Sequence, residues 1–168
     1  MTAHIKDFIE QEFYHFHSHP ELSYQEFETT KRLKEHLEKN GIKILPLDLK
    51  TGVVAEIGQG NTTVAIRADI DALPVQENTD LPYKSTVSGV MHACGHDGHV
   101  TIGLSAAKLL AANKARLAGT IKLIFQPAEE GVRGAFAMMN AGVVDDVDYL
   151  FGGHIGFKAT ADNCLVTM

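Results

Sequence analysis

The sequence predicts an α/β fold built on a mixed sheet. Two observations predict it. β-rich apolar runs ("TVAIR", "TIKLIF", "DYLF") alternate with segments of helical character ("VTIGLSAAKLLAA", "GAFAMMN"), the order that gives a sheet covered by helices. The chain also has the bulk for a real core: 168 residues, 45% hydrophobic and 21% charged, with no repeat or low-complexity tract.

Taken in order, "HIKDFIEQEFYHFHSHP" places Ile5, Phe8, Ile9, Phe13 and Phe16 near helical spacing and is stopped by Pro20. "ELSYQEFETTKRLKEHLEKNG" restarts with Ser23 and Glu26 in capping-box spacing. Phe27, Leu33 and Leu37 mark an amphipathic face, and Gly41 is placed to end the helix. "TGVVAEIG" and "NTTVAIRAD" read as two strands split by "GQGN", a hairpin signal. Asp97 to Ala112, rich in small and apolar residues, reads as a buried helix. "GTIKLIFQ" is a strand ended by Pro127, "RGAFAMMNAG" a short helix ending near Gly142, and "VDYLFGGHIG" a last strand.

Composition narrows the function. A formal net charge of -6 and a pI near 5.8 exclude the basic face of a nucleic-acid binder. No apolar run reaches the roughly 18 residues that span a bilayer. The N-terminus lacks a basic segment followed by an apolar one, and the chain has only two cysteines, Cys94 and Cys164, so a reducing cytoplasm is the expected compartment. Nine histidines is a high count, with His4 and His36 read as solvated.

Ligands of open α/β sheets sit at the carboxyl ends of strands, and the polar clusters fall there. In "HACGHDGH", Cys94 and His96 are two residues apart and can converge on one ion as thiolate and imidazole; the stretch also reads as a polar, glycine-rich helix entry with Asp97 as cap. In "QPAEEG", Glu129 and Glu130 follow a strand. They read either as a solvated pair or as one metal-binding carboxylate beside one general base. In "RADIDALP", Asp69 and Asp71 share a face through period-two spacing, either closing a turn or orienting a ligand histidine. His154, among glycines in "GGHIG", reads as a core histidine or a ligand. Cys164 reads as a small buried hydrophobe. A third possibility makes Cys94 a nucleophile with His96 or His99 as base, which leaves "AEEG" and His154 without a role.

The succession "HSHPELSYQE", "RADIDALPVQE", "GVMHACGHDGH", "IFQPAEEG" and "HIG" resembles the amidohydrolase branch of the aminoacylase/carboxypeptidase-type dinuclear metallopeptidases, which includes hippurate hydrolases, N-acyl-amino-acid deacetylases, auxin-conjugate hydrolases and aminobenzoyl-glutamate hydrolases. The resemblance runs from residue 12 to residue 157. It implies a three-layer, mixed-sheet zinc-peptidase-like catalytic domain that cleaves the amide bond of small N-acyl amino acids. It implies two divalent ions: zinc or cobalt by the softness of cysteine, manganese or nickel by availability. Cys94 and His96 would be metal ligands, the cysteine bridging, with Glu130 on one ion and His154 on the other. Glu129 would be the general base, Asp71 the carboxylate behind a ligand, and Asp69 would stand where other branches carry a histidine ligand; His99 has no assigned role. The resemblance also implies that residues 1–168 are the N-terminal part of the catalytic domain, without the lid and dimerisation domain or the C-terminal part with its last histidine ligand. Such a chain is a metal-binding piece of the enzyme or the enzyme in part. Its incomplete sheet would expose apolar surface and favour homo-oligomers.

Overall fold

The computed structural model describes residues 2–131 and 133–156; Cys164 lies outside the described residues. The elements are α1 (Thr2–Ser18), α2 (Phe27–Lys39), β1 (Lys43–Ile44), β2 (Val53–Gly58), β3 (Thr63–Asp69), α3 (His96–Ala112), a short 3₁₀ turn (Lys114–Arg116), β4 (Thr120–Gln126), α4 (Gly134–Asn140) and β5 (Tyr149–Gly152). Apart from the short β1, each strand and helix coincides with a segment read from the sequence.

Strand alternation builds three layers. On one face of the sheet, Val53, Ala55 and Ile57 of β2, Ala68 of β3 and Leu123 and Phe125 of β4 pack against Phe16 of α1, Leu33 and Leu37 of α2, and Val100, Leu104 and Ala107 of α3. On the other, Val54, Ala65 and Ile124 meet Met138 of α4 and Val143. Residues one apart on a strand thus serve opposite layers, the period of two that the pleat imposes. Burying the roughly twenty apolar side chains of these cores is the main stabilising term, at about 1.5–3 kcal/mol each for the larger ones.

The sheet is mixed, in the order β1-β2-β4-β3-β5. β3, β4 and β5 are mutually parallel, while β2 runs antiparallel to β4 and β1 antiparallel to β2. The expected β2–β3 hairpin does not form, because β4 lies between them, pairing Val53 with Phe125 on one side and Ala68 with the same Phe125 on the other. β4 is buried on both faces and takes a partner on each edge. The glycines of "GQGN" serve a chain crossing rather than a tight turn: a Cβ on Gly60 would lie 2.6 Å from the carbonyl oxygen of Ala118, two residues before β4.

The capping box of α2 is also replaced. Glu26 occupies the N-cap position without a side-chain cap bond. The first turn is served by Glu21, whose carboxylate accepts the N–H groups of Glu28 at 3.1 Å and Thr29 at 2.8 Å. Ser23 and Glu26 turn inward instead. Gly41, at φ 66°, ends the helix as expected. Phe27, expected on the buried face, is 53% exposed. His36, expected in solvent, is half-buried beside Glu12.

Candidate metal centre

The three parallel strands end on one edge of the sheet, and α3 starts there. Asp69 closes β3 and Asp71 follows it, Glu129 and Glu130 follow β4, His154 follows β5, and Cys94 to His99 enter α3. The four polar clusters expected to meet do meet.

His96 is at their centre and is 0% exposed. Its Nδ1 lies 2.9 Å from the Asp71 carbonyl oxygen and 3.3 Å from Asp71 Oδ1. Both atoms only accept, so Nδ1 carries a proton and donates it. Nε2 then faces Asp69 Oδ2 at 3.6 Å, Glu129 Oε2 at 3.7 Å and Glu130 Oε1 at 3.9 Å, with no hydrogen-bond partner. Glu130 Oε1 is likewise buried and unpartnered. Burial by itself would lower the His96 pKa, yet Asp71 and Asp69 raise it above the ordinary value. The surplus of negative charge is one that a bound cation would offset.

Among the described residues, three sets of side chains bring ligand atoms within 4.8 Å of one another: Cys94, His96 and His154; His96, Glu129 and Glu130; and Asp69, His96 and His99. His96 belongs to all three. Cys94 Sγ lies 3.4 Å from His154 Nε2, and His154 Nδ1 donates to the Ile155 carbonyl oxygen at 2.6 Å, so His154 Nε2 is the ring atom turned to the thiol. His99 differs. Its Nδ1 is 2.6 Å from Asp69 Oδ1 and its Nε2 is 2.8 Å from the backbone N of Ile155, so both ring nitrogens are engaged. His92, the first histidine of the run, belongs to none of these sets and is buried, which pushes its pKa down to about 4.

The donor set fits divalent cations of borderline softness: one thiol, the unpartnered His96 Nε2, the His154 Nε2 facing the thiol, and carboxylates whose mutual repulsion a cation relieves. The Cys94 thiol is pushed up to about 11 by burial and then by Glu130 and the neighbouring carboxylates. That is opposite to what a free cysteine nucleophile requires.

Side chains behind the site hold it, and several were not singled out in the sequence. Asp71 Oδ2 accepts from the Ser23 hydroxyl at 2.6 Å and from the Glu130 N–H at 3.0 Å. Burial would raise its pKa, but His96, Ser23 and the Glu130 and Glu129 amides hold it down at about 2. Glu26, wholly buried, accepts the Ala128 N–H at 2.8 Å and the Thr51 hydroxyl at 2.7 Å, which clamps the strained left-handed Ala128 (φ 52°) before the glutamate pair. Asp97, expected as a cap, accepts the N–H of Gly98 at 2.9 Å and also contacts His17 Nδ1 at 2.6 Å.

Residues 65–165 match the model of peptidase family M20/M25/M40, well over half of the chain. The chain belongs to this family. It is 53% identical to thermostable carboxypeptidase 1 of Saccharolobus solfataricus over 90% of its own length and 40% of the relative's. It is 52% identical to the N-acetylcysteine deacetylase of Bacillus subtilis over 82% of its length and 37% of that protein's. Its fold matches the crystal structure of the YXEP protein of Bacillus subtilis, described as a dinuclear metal binding peptidase of the M20 family. The TM-score is 0.89 at 48% identity, covering 92% of this chain and 44% of that one. The chain thus spans about 40% of the length of the family members it matches. The three-layer fold read from the motifs is the family's fold. No described helix is long and apolar enough to cross a membrane.

Proposed function

We propose that this chain carries the metal-binding side of a metal-dependent amidohydrolase acting on small N-acyl amino acids. The observation that carries the reading is His96 Nε2: buried, without a partner, and ringed by the carboxylates of Asp69, Glu129 and Glu130 at 3.6–3.9 Å. Cys94, His96, Glu130 and His154 would hold two divalent ions, zinc, cobalt, manganese or nickel. When bound, such ions supply electrostatic polarisation of the scissile carbonyl and acidify water. Asp71 fixes the His96 ring through Nδ1. Glu129, the more exposed of the two glutamates, would take a proton from the attacking water and hand it to the leaving nitrogen as the C–N bond breaks. The products are a carboxylic acid and a free amino acid. The named activity of the deacetylase relative supports an N-acyl amino acid as substrate class.

A second reading, metal binding without turnover, is favoured by one observation: the chain covers only about 40% of its relatives' length. One experiment separates the two. Metal content is measured by plasma mass spectrometry for the purified chain and for Cys94→Ala. N-acetyl and N-benzoyl amino acids are then assayed with the wild type and Glu129→Gln. The expected result is about one to two ions per chain, lost in Cys94→Ala. Turnover should fall roughly 10²- to 10⁴-fold in Glu129→Gln with metal retained. Metal without turnover supports the second reading, and a metal-free wild type after reconstitution overturns both.

A further inference from the structure

We propose that His99 is a positioning residue that fixes His154 against Cys94 by gripping the backbone of Ile155; its consequence for metal binding rests on the reading above. The hydrogen bonds decide the tautomer. A backbone N–H only donates, so His99 Nε2, 2.8 Å from Ile155 N, must accept. The ring proton then sits on Nδ1 and is donated to Asp69 Oδ1 at 2.6 Å. Asp69 is itself fixed, its Oδ2 accepting from Arg67 Nη1 at 2.5 Å, while Arg67 Nε donates to Gln126 at 3.0 Å. A chain of hydrogen bonds therefore runs from the ends of β3 and β4 to the peptide of residue 155.

The other end of Ile155 completes the link. Its carbonyl oxygen accepts from His154 Nδ1 at 2.6 Å, which sets the imidazole plane and turns Nε2 to Cys94. The Ile155 side chain rests on Gly95 and Gly98. A Cβ on Gly98 would lie 2.7 Å from Ile155 Cδ1, and one on Gly95 3.3 Å from Ile155 Cβ. His154 lies two residues beyond a strand whose side chains are exposed and whose backbone is tied to β3, so past the end of that pairing these contacts hold it to the rest of the site. They also give the two glycines and the last histidine of "CGHDGH" a task that ligation does not require.

Two substitutions test the grip. In His99→Asn the amide nitrogen falls near the position of Nδ1, keeping a donor for Asp69 but losing the acceptor for Ile155. In His99→Gln the amide oxygen falls near the position of Nε2 and keeps that acceptor. In the metal-free, ¹⁵N-labelled chain, the Ile155 amide should exchange with solvent at least about tenfold faster in His99→Asn than in the wild type or His99→Gln. In zinc titrations, His99→Asn should bind roughly 10- to 100-fold more weakly than the wild type, and His99→Gln should recover most of the loss. Equal exchange of Ile155 in the wild type and His99→Asn overturns the grip. Unchanged zinc affinity in His99→Asn, with a zinc-binding wild type, overturns its role at the metal. A wild type that binds no zinc removes the metal-centre reading, and amide exchange alone then decides whether His99 holds Ile155.

Discussion

At the scale of single residues, two side chains set at capping-box spacing do different work. Ser23 and Glu26 reach inward to Asp71 and to Ala128 and Thr51. Glu26→Leu removes both acceptors, so the buried Ala128 N–H and Thr51 hydroxyl lose their partner without solvent to replace it. The expected cost is about 1–3 kcal/mol, read as a lower urea midpoint at unchanged slope. A midpoint indistinguishable from the wild type would show that Glu26 bears no load on the glutamate loop. The residues that meet in space are legible because they follow strands, as Glu129 and His154 do, or open a helix through a glycine-bearing loop, as Cys94 does, and carry chemistry of their own. The supports are not. Glu26 lies 102 residues from Ala128 in sequence, and nothing local distinguishes a carboxylate that caps its own helix from one that holds a distant loop.

At the scale of elements, periodicity located the helices and the longer strands, since each buries one stripe or alternates between two cores. Pairing was another matter. "GQGN" is compatible with a hairpin, and only the demand of β4 for two partners decides against it. Charge pairs between elements are equally invisible to periodicity. Glu12 of α1 receives Arg32 of α2 through Nε at 2.7 Å and Nη2 at 2.9 Å, with His36 at 3.3 Å. Burial would raise the Glu12 carboxyl, but the hydrogen bonds and charges of His36 and Arg32 outweigh it and hold the pKa at about 2, below the ordinary 4.5. A folded-state pKa below the unfolded one gives stability that is full above the unfolded value and is lost as pH falls through the folded one. Glu12→Gln should therefore cost about 2 kcal/mol at pH 7 and progressively less as the pH is lowered from about 4.5 towards 2. Urea unfolding of both proteins across that range checks it; a difference that stays constant with pH would mean that packing, not charge, joins the two helices.

At the scale of the whole molecule, the two sheet edges are unequal. β1 is a two-residue edge with a lysine, a common device against edge pairing. β5 pairs with β3 on one side and has no strand partner on the other among the described residues. Tyr149, Leu150 and Phe151 along it are 61%, 56% and 62% exposed, and Ile102 on the neighbouring helix is 63% exposed. Free N–H and C=O groups beside an apolar strip form a template for a second strand. The 168-residue chain should therefore associate in a concentration-dependent way, visible by sedimentation equilibrium in the micromolar range. Leu150→Lys adds a charge to the strip without touching the metal-binding side chains, so it should shift the distribution towards monomer while leaving metal content unchanged. A monomeric wild type at high concentration would refute the edge as a self-association surface. An oligomer indifferent to Leu150→Lys would place the contact elsewhere, and the metal content of that variant shows whether the site was disturbed on the way.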